Sequence, residues 1–301
     1  MTGKALSKDR KREKQARGLL RGAVDFHIHS APDVFPRLLN DIEIARQAKR
    51  AGMAAVLIKS HVTMTADRAQ IAREVSRFPV FGGITLNRQV GGLNALAVES
   101  AAKMGARQVW MPTLHAAHTI RNRKKLTPAA RAMVKRERGI SIFRKDGKFV
   151  PELEPVLSAV AEHRMILGTG HLSPEEGLAL IREARKAGVE RIVVTHPMAR
   201  FVGYSLELMR KALSLGANYL EFVLNDCAPR VGEPIPLADF AGAIRAIGPD
   251  RIILASDSGQ VDNPPPVRMM VEYIGRLLGL GLSAKDIRQM ISVNPQKILS
   301  L

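Results

Sequence analysis

A short apolar segment near the start of the chain ends on two histidines. Residues 24–29 read Val-Asp-Phe-His-Ile-His, so His27 and His29 lie two positions apart. In a strand, side chains alternate between faces, and both imidazoles are therefore expected on the same side. A pair of converging imidazoles suits Zn, Fe, Ni or Cu. A lone His-x-His is weak evidence, and it gains weight only if other strand ends supply further ligands.

Three later apolar runs end in the same way, on residues that can bind a metal. These residues are His171, His196 and Asp257. In a barrel of parallel strands every strand points its C-terminal end to one face, so residues distant in sequence meet there. Four imidazoles and one carboxylate match a catalytic metal centre that keeps a coordination position open for water.

The elements that must position these residues alternate regularly between apolar runs and longer amphipathic stretches. Strands are expected near 24–29, 54–60, 79–86, 107–113, 164–170, 190–195, 217–224 and 250–256. Helices are expected near 38–51, 65–77, 91–104, 151–163, 173–187, 203–215, 236–247 and 264–279. This count predicts an α/β fold, a TIM-like (β/α)8 barrel. A doubly wound open sheet is the competitor, but no Gly-x-Gly-x-x-Gly follows the first strand.

Two segments depart from this rhythm. Residues 1–22 are expected to form a basic N-terminal tail, solvated and partly helical or disordered, ahead of the barrel over 23–301. Residues 114–150 are expected to be an insertion after strand four, with a hairpin turning at Asp146-Gly147. The insertion should lie over the C-terminal face as a candidate lid. A surface decoration or an oligomer contact explains it equally well.

The charge of the chain is concentrated in these two segments. The formal net charge is +18, and residues 1–22 and 121–148 hold most of the excess. Aromatic residues make up 4% of the chain and none lies in the tail, so stacking platforms for bases are missing and nucleic-acid binding is disfavoured. A basic surface that draws in anionic substrates is the simpler interpretation.

The sequence also bears on compartment. No apolar run approaches the ~18–20 residues of a membrane span, and no apolar segment of a secretory signal follows the charged N-terminus. The single cysteine, Cys227, excludes an internal disulfide, so a reducing cytoplasm is the expected location.

The motifs together resemble the amidohydrolase superfamily of metal-dependent hydrolases and, more narrowly, an uncharacterised amidohydrolase-like branch. The resemblance spans about 24–301 apart from the insertion. It rests on Asp25–His29, Thr169-Gly170-His171, Val194–Pro197, Ala255-Ser256-Asp257 and the ending Asn294–Leu299.

This resemblance implies roles for the strand-end residues. His27, His29 and Asp257 would bind a metal in the more buried position. His171 and His196 would hold a second metal or, in a mononuclear site, contact the water and the substrate. Asp257 would also take the proton from the metal-activated water, so Asp257, His196 and His171 are the catalytic candidates. The cofactor is expected to be one or two divalent ions, Zn first, with Mn, Fe or Ni as alternatives.

The sequence departs from the superfamily at strand four. Binuclear members usually bridge their metals with a carbamylated lysine or a glutamate from that strand, and residues 109–113 offer neither. Lys59 and His61, after strand two, are candidates for the metal bridge or for a substrate contact. Lys59 would be carbamylated in the first case and a plain cation for an anionic substrate in the second. His115 and His118 are expected to be polar loop residues.

Substrate contacts are expected from Arg88, Arg200 and Asn225, whereas Glu221 and Asp226 receive no role. The predicted function is metal-dependent hydrolysis of an amide, lactone or other ester bond in a small anionic substrate. One alternative is a decarboxylase or isomerase on the same fold, and another is a basic nucleic-acid-binding protein on an inherited barrel. Homo-oligomer formation stays open.

Overall fold

The computed structural model describes residues 3–134, 138–228 and 234–301, with side-chain surroundings from residue 10 onward. Residues 135–137 of the basic insertion and the first two residues of the tail lie outside the described residues. The strands form two parallel sheets, in the orders β1-β2-β3 and β4-β5-β6-β7-β8-β9. Their bounds are β1 Val24–His29, β2 Ala55–Lys59, β3 Val80–Phe81, β4 Gly83–Thr85, β5 Gln108–Trp110, β6 Ile166–Gly168, β7 Arg191–Thr195, β8 Tyr219–Val223 and β9 Ile252–Ala255.

Backbone hydrogen bonds join the two sheets into one ring. β3 and β4 are consecutive segments of one strand position, separated by Gly82, whose carbonyl accepts from Arg107 N at 2.8 Å. At the other seam, Asp257 N donates to His27 O and His29 N donates to Ser258 O, both at 2.8 Å. The nine strand segments therefore occupy eight positions, and the predicted (β/α)8 barrel is confirmed.

Helices follow the strands as the amphipathic pattern predicts. The helix that opens at Ser173 has the predicted start, because the Ser173 side chain accepts from Glu176 N and the Glu176 side chain accepts from Ser173 N. The bounds are α1 Gly3–Leu19, α2 Asp41–Arg50, α3 Ala66–Ser76, α4 Ala95–Lys103, α5 Ala117–Arg121, α6 Pro128–Met133, α7 Leu153–Glu162, α8 Pro174–Lys186, α9 Leu206–Ser214, α10 Leu237–Ile247, α11 Pro266–Gly279, α12 Ala284–Arg288 and α13 Asn294–Leu299.

Two apolar cores hold the barrel together. One cluster takes residues such as Phe26, Leu57, Trp110 and Ile253 from strands around the ring, so it fills the barrel interior, and α13 adds Ile298 to it. The larger cluster packs the outer faces of the strands against the helices. Polar side chains occupy the strand ends above the interior cluster.

Strand β1 contains an irregularity in the interval that includes His27. Its pairing with β2 shifts register between Asp25 and Ile28, as in a β-bulge. As a result Phe26 belongs to the interior cluster and Ile28 to the outer one, although residues two apart share a face in a regular strand. The shift allows both Phe26 and the two imidazoles to face the barrel interior.

The described parts of the two segments outside the barrel rhythm both pack against the rest of the fold. Residues 3–19 form α1, which contacts α11 and buries Ala16, Leu19 and the following Leu20, where the sequence predicted a solvated, partly helical or disordered tail. The insertion contains α5 and α6, and its predicted hairpin is present as an antiparallel bridge between Phe143 and Phe149. No helix in the described ranges is long and apolar enough to cross a membrane.

Candidate metal centre

Five polar side chains meet at the C-terminal end of the barrel. Two of them come from the end of one strand, and each of the other three follows a different strand. His27 and His29 end β1, His171 follows β6, His196 directly follows β7 and Asp257 follows β9. All five are buried, with at most 7% of any one exposed. The position of these residues on one face was the central prediction from the sequence, and the barrel brings them together.

The Asp257 carboxylate lies at the middle of the cluster. Its Oδ1 is 3.1 Å from His29 Nε2 and 3.4 Å from His27 Nε2, and its Oδ2 is 3.9 Å from His196 Nε2. His27, His196 and Asp257 each offer a donor atom, and these three atoms lie within 4.8 Å of one another. The His171 ring is 5.3 Å from the His196 ring and 6.2 Å from that of His61, so it borders the same space.

The backbone at two of these residues adopts a conformation that L-residues seldom take. His196 has φ of 50° and Asp257 has φ of 48°, both in the left-handed region. Such a residue costs roughly 1–2 kcal/mol when it is not glycine. Gly170 has φ of 61°, and a Cβ there would lie 2.2 Å from Met111 O, so only glycine fits directly before His171. The orientations of His171, His196 and Asp257 therefore depend on unusual backbone conformations, which the surrounding fold must stabilise.

Burial keeps most of the imidazoles neutral. It lowers the pKa of His27, His29 and His171 well below the ordinary range, and the Lys59 charge acts in the same direction on all three. The Asp257 carboxyl behaves in the opposite way. Burial opposes its ionisation, but His27, His196 and Lys59 outweigh burial and lower its pKa. The neutral imidazoles of His27, His29 and His171 and the ionised carboxylate of Asp257 are in the protonation states in which these groups bind metals. His196 differs, because Asp226 outweighs burial and raises its pKa.

The unsatisfied atoms of the cluster fit a metal ion. Among the described residues, no hydrogen-bond partner is found for either ring nitrogen of His27 or His171, or for Nδ1 of His29. A buried polar atom without a partner costs about 1–3 kcal/mol, so five such nitrogens in one place call for a ligand. Imidazole nitrogens with a carboxylate oxygen are a donor set suited to Zn and other first-row divalent ions.

Lys59 and His61 both lie at this cluster. The Lys59 side chain is 1% exposed, its Nζ has no hydrogen-bond partner among the described residues, and it lies 5.2 Å from the Trp110 ring centroid. Burial lowers its pKa to about 8, against the opposing effect of Asp257 and Glu221. The His61 ring stacks on His29 at 4.8 Å, and its Nδ1 is 2.9 Å from Thr113 Oγ1.

The structure adds two carboxylates that the sequence left without a role. Glu221 Oε1 is 3.3 Å from His27 Nδ1, and Asp226 Oδ1 is 3.4 Å from His196 Nδ1. Burial raises the pKa of Glu221 to about 7. Both residues come from β8 and the turn after it. The signal in the sequence was an acidic residue inside an otherwise apolar strand, and a buried carboxylate is rare without a partner.

A cavity of about 300 Å³ opens above the cluster. His29, His61, His171, His196 and Asp257 form its floor. The insertion supplies one wall with residues between Leu114 and Ala130, and Phe35, Phe201, Ile235 and Val261 extend the apolar lining. Leu114, Ile120, Leu126 and Val134 form a small apolar cluster of the insertion's own, against which Phe35 and Phe201 pack.

Of the three residues predicted to contact substrate, two line the cavity and one does not. Arg200 lines the cavity mouth as an exposed residue. Asn225 also lines the cavity, where it donates to Asp257 Oδ2 at 3.0 Å and so holds the carboxylate. Arg88 is absent from the described cavity lining, and its guanidinium donates to Arg138 O at 2.6 Å within the insertion. Both Arg88 and Arg200 follow a strand in the sequence, so this position alone could not show that Arg200 lines the cavity and that Arg88 supports the insertion.

The ring of parallel strands with its polar cluster is a (β/α)8 barrel, and solved structures share this fold. An amidohydrolase from Pseudomonas aeruginosa is 11% identical, with a TM-score of 0.63 over 96% of this chain and 98% of that one. An organophosphorus hydrolase from Deinococcus radiodurans is 15% identical, with a TM-score of 0.57 over 94% and 93%. A mutant PTE-like lactonase from Deinococcus radiodurans is 16% identical, with a TM-score of 0.58 over 94% and 97%. The predicted resemblance is confirmed at the level of the fold.

The chain belongs to the family of unknown function DUF6282, whose model matches residues 22–221. The match includes four of the cluster residues, from His27 to His196, and ends before Asp257. No curated protein matches the chain.

Proposed function

We propose that this protein is a metal-dependent hydrolase that cleaves an amide, lactone or other ester bond in a small substrate. The observation that carries the proposal is the convergence of donor atoms from His27, His196 and Asp257 within 4.8 Å of one another, with His196 and Asp257 at the floor of a cavity. The names of similar folds, a lactonase and an organophosphorus hydrolase, describe those proteins and support the same class of chemistry for this one.

The proposed role of each residue follows from its position in the cluster. His27, His196 and Asp257 would hold a divalent metal, most simply zinc, with His29 beside them. When bound, this ion supplies Lewis-acid chemistry, because it polarises a carbonyl or phosphoryl oxygen and lowers the pKa of water. His171, whose ring lies 4.8 Å from that of Phe201, would contact the substrate where the floor meets the apolar wall.

Proton transfer would fall to Asp257. The pKa of Asp257 is lowered by its neighbours, so its carboxylate is available to take a proton from the attacking water. Asp257 would then pass this proton to the leaving group, because His196, as a metal ligand with Nδ1 facing Asp226, keeps the lone pair of Nε2 for the ion. Asn225 keeps the Asp257 carboxylate in place through its hydrogen bond to Oδ2.

The charge around the cavity supports an anionic substrate. Arg37, Lys125 and Arg200 line it, and Asp262 is the acid at the rim. Arg37 is neutralised by Asp33 at 2.8 Å, whereas Lys125 and Arg200 belong to the exposed side of the mouth. These cations would attract a carboxylate or phosphate group without contacting the bond to be broken.

Metal content per chain tests the proposal most directly. Protein purified without added metal, and again after reconstitution with zinc, should hold at least one ion per chain, and the Asp257→Asn variant should hold less. Lactones, amides, esters and phosphotriesters are then assayed with and without a chelator, which should abolish hydrolysis. Wild-type protein that takes up no metal after reconstitution, or hydrolysis that persists in the chelator, would contradict the proposal.

A further inference from the structure

Each of the two imidazoles closest to the metal position has a carboxylate on its far side. His27 has Nε2 directed to Asp257 and Nδ1 at 3.3 Å from Glu221 Oε1. His196 repeats the arrangement, with Nε2 directed to Asp257 and Nδ1 at 3.4 Å from Asp226. The two rings are 5.2 Å apart at an interplanar angle of 80°, so they approach Asp257 from nearly perpendicular directions.

The carboxylates come from one short stretch of chain. Glu221 lies on β8, paired with Thr195 of β7 and Ile253 of β9, and Asp226 lies in the turn that follows the strand. Both side chains are buried, with 0% and 6% of the residue exposed. Burial of an acid this deep is costly unless the acid has a partner. The partners that the fold provides are the two imidazoles.

The remaining imidazoles of the cluster lack this arrangement. Among the described residues, His29 Nδ1 and both nitrogens of His171 have no hydrogen-bond partner, carboxylate or otherwise. The cluster therefore has two rings with a carboxylate within 3.4 Å of Nδ1 and, in the part of the chain that the structure describes, two without one. The contact of His196 is a hydrogen bond, whereas His27 Nδ1 faces Glu221 without hydrogen-bond geometry. The two rings with a carboxylate near Nδ1 are those whose donor atoms lie with that of Asp257 within 4.8 Å of one another.

From this geometry, and resting on the proposed function, we infer that Glu221 and Asp226 are positioning residues that hold His27 and His196 with Nδ1–H toward β8 and Nε2 toward the metal. A ring that donates from Nδ1 keeps the lone pair of Nε2 for a metal, and the acceptor fixes both tautomer and orientation. Asp226 already makes this contact as a hydrogen bond of 3.4 Å. The Glu221 contact is within reach but poorly aligned, as such contacts often are before a ligand is bound.

Lys59 is the competing partner for Glu221, because its charge also acts on that carboxyl. The two arrangements differ in the proton on His27. If Glu221 accepts from His27, the ring carries its proton on Nδ1. If Glu221 serves only Lys59, nothing holds the proton there, and the ring is free to carry it on Nε2, which faces Asp257.

The test measures zinc affinity and histidine tautomers in the full chain. The dissociation constant for Zn²⁺ is determined by competition with a chromophoric chelator for wild type, Glu221→Gln, Asp226→Asn and the double variant. Loss of a partner behind a metal-binding imidazole typically weakens binding about 10–100-fold, and each single variant should fall in this range. ¹⁵N spectra of histidine-labelled zinc-loaded protein, with eight rings to assign, should show Nδ1–H for His27 and His196.

Glu176→Gln is the matched control, because Glu176 is also buried but its carboxylate accepts from Ile142 N and Ser173 N, away from the cluster. This variant should keep the wild-type zinc affinity within about twofold, whatever it does to stability. Circular dichroism and thermal unfolding identify any variant that fails to fold. If a variant fails to fold, the tautomer of the corresponding histidine in wild-type protein still tests the positioning role.

Failure of this inference is separable from failure of the proposed function. If wild-type protein binds zinc and the folded Glu221→Gln and Asp226→Asn variants bind it within twofold as tightly, the positioning role is refuted and the metal site stands. Nε2–H tautomers in His27 or His196 would refute it equally. If wild-type protein binds no zinc, the proposed function fails first.

Discussion

The floor and the wall of the cavity are built in opposite ways. The floor consists of buried side chains at the ends of strands whose backbones are hydrogen-bonded on both sides. The wall comes largely from short helices of the insertion, held by a four-residue apolar cluster and bordered by exposed cations. We therefore expect the proposed chemistry to depend on the ring of strands, and the choice of substrate to depend on the insertion, which can change without disturbing the ring. Each prediction below acts on one of these two parts.

The largest effect is expected from the floor. Replacing Asp257 by Asn keeps the shape of the side chain but removes the base and weakens a metal ligand. We expect kcat/KM for any substrate found by the screen to fall about 10²–10⁴-fold, the usual contribution of a general base. Steady-state kinetics on a variant with wild-type circular dichroism measure this. A variant with more than a third of wild-type activity would remove Asp257 from the chemistry.

A change in the wall should affect selectivity and leave the metal in place. Ala130 lines the cavity from α6, and Ala130→Trp would fill part of the 300 Å³ space. We expect KM to rise about tenfold for the bulkier substrates, because pockets discriminate by about 1–3 kcal/mol per misfitting group. Metal content should stay at the wild-type value.

Ala132→Trp is the matched control, because Ala132 lies on the same helix, is exposed and is absent from the described lining. It should leave KM unchanged. A loss of metal in Ala130→Trp, or equal effects from the two tryptophans, would show that wall and floor are not independent.

The pH dependence of stability should distinguish the two regions as well. Burial lowers the pKa of His171 in the folded protein below its ordinary value near 6.5, so the unfolded chain binds more protons below that pH and the folded state loses stability as pH falls. In metal-free protein, His171→Phe should flatten the fall between pH 6.5 and 5.5 by up to about 1.4 kcal/mol per pH unit. Urea unfolding at several pH values measures the slope.

His118, on α5 of the insertion, provides the contrast. Burial lowers its pKa too, but the residue is only partly buried and its Nε2 lies 3.1 Å from Val202 O. His118→Phe should therefore flatten the slope in the same direction and by less. A larger effect from His118 than from His171 would contradict the view that burial is strongest at the floor.

The smallest effect is expected at the mouth. Arg200→Ala should raise KM for an anionic substrate about two- to fivefold at low salt, since exposed charge pairs contribute about 0.2–1 kcal/mol. The difference should vanish at high ionic strength because salt screens exposed charges. Arg88→Ala serves as the control, because Arg88 contacts the insertion backbone and not the cavity. Equal responses from both arginines would place the charge effect outside the cavity.

The barrel and its floor were largely predictable from the sequence. Period-two alternation at β1, apolar runs at the other strands and polar residues where those runs end are local patterns, and a ring of parallel strands turns them into one cluster. His171, His196 and Asp257 could be picked out in this way because each directly follows an apolar run. The packing of the N-terminal helix was harder to predict from the sequence. Its many charged residues indicate a solvated segment, although α1 and the residue after it bury three apolar side chains.

Other features required the tertiary structure. Glu221 sits inside an apolar run, and nothing in the local pattern states which imidazole it faces. Arg88 and Arg200 both follow strands, yet only one reaches the cavity. The shift in register within β1 is also invisible in the sequence, because alternation alone would place Phe26 and Ile28 on one face.

The sequence by itself determined which residues could bind a metal and that they would share one end of a barrel. This information is local, since it depends on residue type and on the period of each strand. Only the tertiary structure decided which nitrogen faces which oxygen, through a register shift in β1, left-handed turns at His196 and Asp257, and two carboxylates behind the rings. These features arise from contacts between residues up to about 230 positions apart, such as Asp25 with Ser256. Pairing at that range is set by the packing of the whole ring and not by any single segment.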